Sequence, residues 1–414
     1  MVNTINNIKD VGSVIAKMAA KMLADETQFL KSIDKEPDSS FGQVNGYNVG
    51  DTINISKPAR FIPSSTVDIT STLQDVKEEK VALALNTRSI VPIALTSAEI
   101  QNTLQLKSWA NRILKPAVSS IAQNIESAFL TTAKNSTYQS VGTAGSTVFD
   151  PATMLAARAQ LKRSLAPAGS NLFALLDSTA TASAVNSRKG LPNSQSDIAK
   201  QYRDGYIMTA DGFTYLENNL LPTHANGVDV SGIAVEASVV TIANGMSTLG
   251  VDGVTSGATI TAGTTFTIAD VYSVHPITKV STGQLQQFVV TAAVTETASN
   301  SVTLAISPSI YYTTTDSRQN VNAAPVDEAA LVFVGAASTG YVQNIAFAPS
   351  AFRFASVPLM KPDGLDMVGQ ETVDGMTIRV IRDYNVLTDQ MILRLDFLGG
   401  FAAVRPEWSV KITA

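Results

Sequence analysis

The sequence predicts an α+β protein organised on one long helix and interrupted by an all-β module. Three observations lead there. Residues 97–135 carry apolar side chains at helical spacing over far more than the roughly 11–12 residues of an average helix. The flanking stretches break into short alternating runs of the kind that form strands. Between about Thr223 and Asn344 the composition turns to Thr, Val, Ser, Ala and Gly, and the charge changes with it. From Asp204 to Phe352 there are eleven acids against only Lys279 and Arg318, a local charge of −9 that leaves +4 for the rest of a chain at −5. So abrupt a change marks a separate module set into a host fold.

In order along the chain, Ile8, Val11, Ile15, Met18, Met22, Phe29 and Ile33 fall on one face of an amphipathic helix over 7–33. Pro37 to Ser40 break it. Asn45-Gly46 and Gly50 supply turns, and Thr52 to Ile55 alternates like a strand; Val67 and Ile69 resume the alternation, so an extended hairpin is expected. Asp75 to Lys80 reads as a solvated turn before strands at Val81–Leu85 and Ser89–Leu95. In the long helix, Ser97 is the cap, and Trp109, Ile113, Ala117, Ile121 and Ile125 form one row beside Leu114, Val118 and Phe129, with Asn135 as the stop. Pro116 demands a kink or break just before it, because proline is tolerated only at the start of a helix. Asp150-Pro151 opens the next helix, Leu172–Leu176 is a short buried strand, and Ser178 starts an Ala-rich helix ending near Arg188-Lys189-Gly190. Inside the module, strands are expected at Val239–Ile242, Thr265–Ile268, Phe288–Val290, Val302–Ile306 and Leu331–Val334, a spacing that suits a barrel or sandwich. After it, strands are expected at Ile378–Ile381, Met391–Leu395, Ala402–Val404 and Val410–Ile412.

Composition removes several function classes. Charged residues are 16% of the 414, well below the roughly 25% usual for soluble domains, as suits a surface covered by partners. There is no cysteine, so neither disulfides nor thiolate metal sites form, and His224 and His275 are the only histidines. No uncharged apolar run reaches the ~18 residues of a membrane span, and no basic flank precedes an apolar core as in a secretion signal. A soluble protein of a cytosol-like compartment is the expectation, with no membrane partner.

No catalytic, cofactor-binding or metal-binding residue is assigned. No serine sits in a G-x-S-x-G elbow, and His224 and His275 are read as structural or solvated. Gly142 to Gly145 lacks the lysine of a phosphate loop and reads as a flexible loop; Gly399-Gly400 reads as a bend or a close backbone approach. Glu78-Glu79 and Asp327-Glu328 read as solvated faces, and Asn135-Ser136-Thr137 matches a glycosylation acceptor without a secretion signal. A pI near 5.2 and the lack of any basic run argue against sequence-specific nucleic-acid binding.

Several segments, taken in order, resemble the coat-protein family of tailed phages of the Salmonella phage P22 type. They include Arg112–Ala117 on the long helix, Tyr202-Arg203-Asp204-Gly205 with Gly212-Phe213, and Asn218–Pro222. Phe266–Ile268 and Ser281–Phe288 lie in the module; Asn344–Phe347, Ala351-Phe352, Val357–Leu359, Ile378–Tyr384, Arg394–Asp396 and Val404–Glu407 follow it. The resemblance implies an HK97-like capsid fold: N-terminal arm 1–36, extended loop 37–80, peripheral domain with its spine helix 81–149, axial domain 150–222, inserted β-barrel domain 223–344, and axial and peripheral C-terminal part 345–414. It implies a structural protein with no catalysis or cofactor, which self-assembles into hexamers and pentamers of an icosahedral shell around double-stranded DNA. It also implies a scaffolding protein and a portal as partners, leaves a decoration protein open, and implies non-specific contact with DNA and a place in the virion after assembly in the host cytoplasm. Some members of the wider fold cross-link a loop lysine to an asparagine; Lys57 lies in the loop here, but no acid is assigned as its catalyst, and the resembled branch assembles without such bonds. Two other readings stand beside this one: a β-rich surface-layer or adhesin-type protein, and a hydrolase with an accessory β-domain.

Overall fold

The long helix runs Lys115–Ser136 and is entered through a π-helical turn, Ala110–Leu114. Its 22 residues span about 33 Å. Pro116 falls in the first turn of the α-helical part, where its missing N–H costs no hydrogen bond, and the widened turn lies just ahead of it, where the break was expected. From Ile121 to Lys134 two buried residues alternate with two exposed ones, the pattern of a helix with one side fully covered. The helix ends one residue beyond the expected stop.

These elements belong to a computed structural model that describes residues 11–36, 50–62, 70, 73–76, 78–96, 110–145, 149–167, 169, 171–188, 209–227, 231–297, 300–386 and 390–413. The expectations for Ile8, the Asn45-Gly46 turn, Val67 and Ile69, the Ser97 cap, Trp109, Lys189-Gly190 and the Tyr202–Gly205 motif lie outside the described residues.

The chain divides into two units. The first comprises residues 1–55, 81–129 and 352–402. Its sheet runs in the order Asp34–Lys35, Phe352–Ser356, Gln390–Ala403, Met376–Asn385, Met367–Val373, with Thr87–Thr96 also paired to Gln390–Ala403. Helix Val11–Glu26 packs on the Met367–Val373 and Met376–Asn385 strands through Ile15, Ala16, Ala19, Ala20, Leu23 and Ala24. The expected single helix over 7–33 is therefore two. It breaks at Thr27, whose hydroxyl donates back to Leu23 O at 3.2 Å, and a second helix spans Gln28–Lys31. The cause is Glu126: its carboxylate, 2% exposed on the spine, accepts the Phe29 N–H at 2.5 Å and takes it out of the helical ladder. Met18 and Met22 are only half-buried; the alanines form the contact instead, because small side chains let the helix sit close to the sheet.

Phe29, Phe129, Phe352, Phe354, Phe397 and Phe401 meet in the core of this unit, with ring centroids 5.3 Å apart for Phe352–Phe401, 5.5 Å for Phe129–Phe401 and 5.6 Å for Phe129–Phe354. The two strands expected at Met391–Leu395 and Ala402–Val404 are one strand of 14 residues, Gln390–Ala403, passing straight through Gly399-Gly400. The glycines serve close approach and not a bend: a Cβ on Gly400 would lie 2.2 Å from Ala84 O.

The second unit comprises residues 56–80, 130–351 and 403–414. One sheet runs Gln139–Val141, Ser409–Thr413, Gly340–Phe347, Leu172–Leu176, Phe213–Glu217, Thr209–Ala210, with Thr223–Ala225 also paired to Gly340–Phe347. Helix Pro151–Arg163 covers it, capped as expected by Asp150, whose side chain accepts Thr153 N at 2.9 Å. Asp177 caps Ser178–Ser187. Met154, Ala157, Leu161, Ala180, Ala184 and Phe213 share the core with Ala346, Val410 and Ile412.

A second sheet in this unit runs Ala234–Val235, Met246–Asp252, Val302–Ile310, Ser281–Val290, Thr265–Val274, Leu331–Phe333, around its own core of Leu249, Phe266, Ile268, Phe288, Leu304 and Ile310. Its two edge segments are tied together: Val235 N donates to Ala329 O, Glu328 N to Val235 O and Leu331 N to Ile233 O, each at 2.9 Å. Val239–Ile242, expected as a strand, forms none. Glu236 turns the chain there, accepting Val239 N through its carbonyl and Ser238 N through its carboxylate. The strand is Met246–Asp252 instead, bounded by the turn dipeptides Asn244-Gly245 and Asp252-Gly253. In the hairpin of Thr52–Lys57 with Glu79–Ala84, Glu79 and Lys80 are strand residues and not the solvated turn expected over Asp75–Lys80.

Phe129, 1% exposed, sits where spine, N-terminal segment and sheet meet. Phe129→Ala is expected to cost about 3–5 kcal/mol in denaturant unfolding, while Gln123→Ala on the exposed side stays within about 0.5 kcal/mol of the parent.

Candidate functional site

The residues the sequence singles out have structural surroundings. His224, 7% exposed, sits on Thr223–Ala225. Asn226 Oδ1 lies 3.1 Å from Nε2; the amide's orientation is fixed because its Nδ2 donates to Val334 O at 2.8 Å. Nε2 therefore carries the proton, and Nδ1 faces Lys134 Nζ at 3.5 Å. Lys411, also buried, donates to Gly263 O at 2.8 Å. Burial, then the charges of Lys134 and Lys411, push His224 down to about 4; burial and Lys134 push Lys411 down to about 7. This is a buried group of bases held partly neutral, with no carboxylate bonded to the imidazole among the described residues. His275 is a turn residue: its Nδ1 accepts Ile277 N at 3.3 Å and Thr278 N at 3.2 Å.

The other candidates resolve likewise. Gly142 is not part of a free loop: with φ at +94°, a Cβ there would lie 2.2 Å from Thr413 O. Lys57 Nζ lies 3.8 Å from Glu79 Oε2, so Glu79 is half of an ion pair while Glu78 is exposed. Asp327 accepts Ala237 N at 2.8 Å. Glu328 is exposed, and its carboxylate oxygens come within 4.8 Å of those of Glu236 and Asp252. Among the family-motif residues, Arg379 and Arg394 both donate to Asp396, which is fully buried; this is a cross-strand brace. Arg188 pairs with Asp211 and donates to Tyr215 Oη at 2.9 Å.

One concave feature of the second unit gathers Lys57, Glu79 and His275, which the sequence singled out separately, with bases it did not. A crevice of about 380 Å³ is lined by Lys57, Arg60, Arg163, Arg318 and Arg405, against Glu79 and Glu407. Arg60 is 3.1 Å from Glu407, and Arg163 donates to Gln284 at 2.5 Å. No local motif announces it, because its bases come from far-separated stretches. The signal available in the sequence was Arg318 and Lys279, the only two bases of the acid-rich stretch. Arg318 lines the crevice, and Lys279 is pushed down to about 8 by burial and by the charge of Arg60. Beside it Phe61, Leu165 and Ile277 are 57%, 40% and 50% exposed around Arg60, Arg405 and Trp408. The arrangement offers charge and apolar area for association.

Comparison with known proteins bears on what such surfaces serve. The family described as P22 coat protein, gene protein 5, matches residues 38–413. No curated protein sequence matches the chain. Among solved structures the chain is similar to one from Mycobacterium phage Che8, with 11% identity over 93% of this chain and 90% of that one and a TM-score of 0.47. It is similar to the capsid of Ralstonia phage GP4, with 6% identity, 92% and 87% coverage and a TM-score of 0.46. It is also similar to the bacteriophage PhiM1 mature capsid, with 11% identity, 94% and 86% coverage and a TM-score of 0.45.

His224 gives this unit a pH dependence of known sign. A histidine kept neutral on folding adds stability that is complete above its ordinary value near 6.5 and is lost as pH falls toward about 4. The loss is expected to reach about 3 kcal/mol. Thermal unfolding between these pH values should show a shallower decline in His224→Gln than in the parent.

Proposed function

The chain belongs to the P22 coat protein family, so it is a structural, shell-forming major capsid protein of tailed phages and not an enzyme; on that premise we propose how its parts serve the shell. The arm is residues 1–36, the extended loop 37–80, the peripheral domain with its spine helix 81–149, and the axial domain begins at 150–222, with 345–414 as the C-terminal part of both the axial and the peripheral domain, in an HK97-like arrangement. Residues 223–344 are an inserted β-barrel domain. In support, the Ala234–Val235 and Leu331–Phe333 edges are bridged by hydrogen bonds around a core of their own, and a closed sheet leaves no edge to pair with strangers.

Copies of the chain form hexamers and pentamers of an icosahedral shell. The arm and the loop reach over neighbours, where burial of apolar area supplies most of the association energy. A scaffolding protein templates a precursor shell in the host cytoplasm, a portal occupies one vertex, and double-stranded DNA contacts the interior without sequence preference. The surface-layer, adhesin and hydrolase readings fall away with the family assignment. The observation that carries the proposal is the family match over residues 38–413.

Purified protein, alone or with its scaffold, should give shell-like particles or capsomers in negative-stain microscopy; a monodisperse monomer under every condition contradicts this. A fragment of residues 223–344 should fold alone, with a β-type circular dichroism spectrum and cooperative melting; a random-coil spectrum removes the inserted domain.

A further inference from the structure

The second unit carries two surface patches of opposite sign that share no residue. The first is the crevice of Lys57, Arg60, Arg163, Arg318 and Arg405, whose five bases outnumber the two acids lining it together with Asp316, which pairs with Arg318. In a chain with only 30 bases and a negative total, five on one concavity is a local concentration. The apolar side chains of Phe61, Leu165 and Ile277 stand exposed at its margin, next to Arg60 and Arg405.

The second patch lies where Glu236, Asp252 and Glu328 bring their carboxylates within 4.8 Å of one another. Asp327 is exposed beside Glu328. Close by in the chain apolar side chains are exposed here too: Val326 is 61% and Val239 37% open to solvent. Carboxylates this close repel one another, and a cationic partner relieves that repulsion. Each patch has the charge and the apolar rim that complete the other.

We propose that the Glu236–Asp252–Glu328 face of one copy docks on the Lys57–Arg60–Arg163 crevice of a second copy. The contact is heterologous, so each copy presents a free crevice and a free acidic face to further copies, as a growing shell requires. It rests on the shell-forming role given above. A free anion or an acidic peptide satisfies only the charge of the crevice; the second copy also covers the apolar rims, and in a shell it is present at high local concentration. Charge steering sets the register and the apolar rims supply burial.

The test uses two charge reversals in the full chain, Arg163→Glu and Glu328→Lys, both at exposed positions. Each variant alone pits like charge against like charge, and its assembly threshold in light scattering and sedimentation velocity should rise about tenfold, equivalent to about 1.4 kcal/mol. Mixed in equal amounts, the two should associate at the parent's threshold, because each crevice then meets the face that suits it; the double variant should do the same. Circular dichroism and melting temperature confirm that the variants fold. The parent's threshold should also rise between about 0.05 and about 0.5 M NaCl, a reading that needs no variant. Parent-like association of either single variant, or impaired variants that neither mixing nor the double reversal restores, overturns the proposal. So does a threshold that is flat or falls with salt. Because mixing is read as association of two proteins, it decides the contact even where no closed shell forms; absence of shells in the parent bears on the shell reading instead.

Discussion

Six phenylalanines hold the first unit together, and the spine's place in it depends on them. Phe129 on the helix stacks on Phe401 and meets Phe354 edge-on, Phe352 stacks on Phe401, and Phe29 meets Phe352 edge-on. These residues come from the N-terminal segment, the spine and the last third of the chain. Each pair adds about 0.5–1.5 kcal/mol to the burial of large apolar side chains, but the larger effect is on chain order. A sheet whose strands are separated by more than 250 residues closes only if something draws the distant segments together. The carboxylate of Glu126, buried on the same helix, then fixes the Phe29 amide and with it the end of the N-terminal helix. A buried acid bonded to a backbone N–H specifies one register where apolar packing alone would tolerate several.

The second unit solves a different problem. It carries two cores, one under helix Pro151–Arg163 and one inside the six-stranded sheet, and little charge to spare. Polar contacts join them: Gln287 exchanges hydrogen bonds with the Ser140 backbone at 2.8 and 2.9 Å, and Lys411 reaches Gly263 O from the strand Ser409–Thr413. A buried lysine with a carbonyl as its partner is costly unless it sheds its proton, and burial lowers Lys411 to about 7 for that reason. The junction between the two cores is thus specific in geometry.

Much of this was legible in the sequence where one physical rule governs a stretch. The spine's stripe, the Asp150-Pro151 helix start and the strands at Thr265, Phe288, Val302 and Leu331 follow from periodicity, capping and alternation. The acid-rich stretch was legible as charge. The failures fall where tertiary partners override local preference. Glu126 breaks a helix that amphipathicity alone would continue through Thr27. Glu236 turns a Val-rich run that propensity assigns to a strand, and of the two readings of Gly399-Gly400, a bend or a close backbone approach, the close approach holds, inside one strand. The cationic crevice was not legible because its bases meet only after folding. The residues that carry the family resemblance prove largely structural: Asp396 is a buried acceptor for Arg379 and Arg394. A protein whose work is to tile a shell stores its function in shape and surface, and its characteristic residues are those that keep the shape.

Native-state hydrogen exchange on the full chain tests this account most directly. If the phenylalanine cluster is what the first unit depends on, the slowest amides of that unit should lie together in Ile121–Phe129, Phe352–Ser356 and the Phe397–Phe401 part of its longest strand, and should open with one free energy. Spine amides that exchange as fast as those of the exposed Leu73–Val76 segment, or that open independently of the two strands, would contradict it.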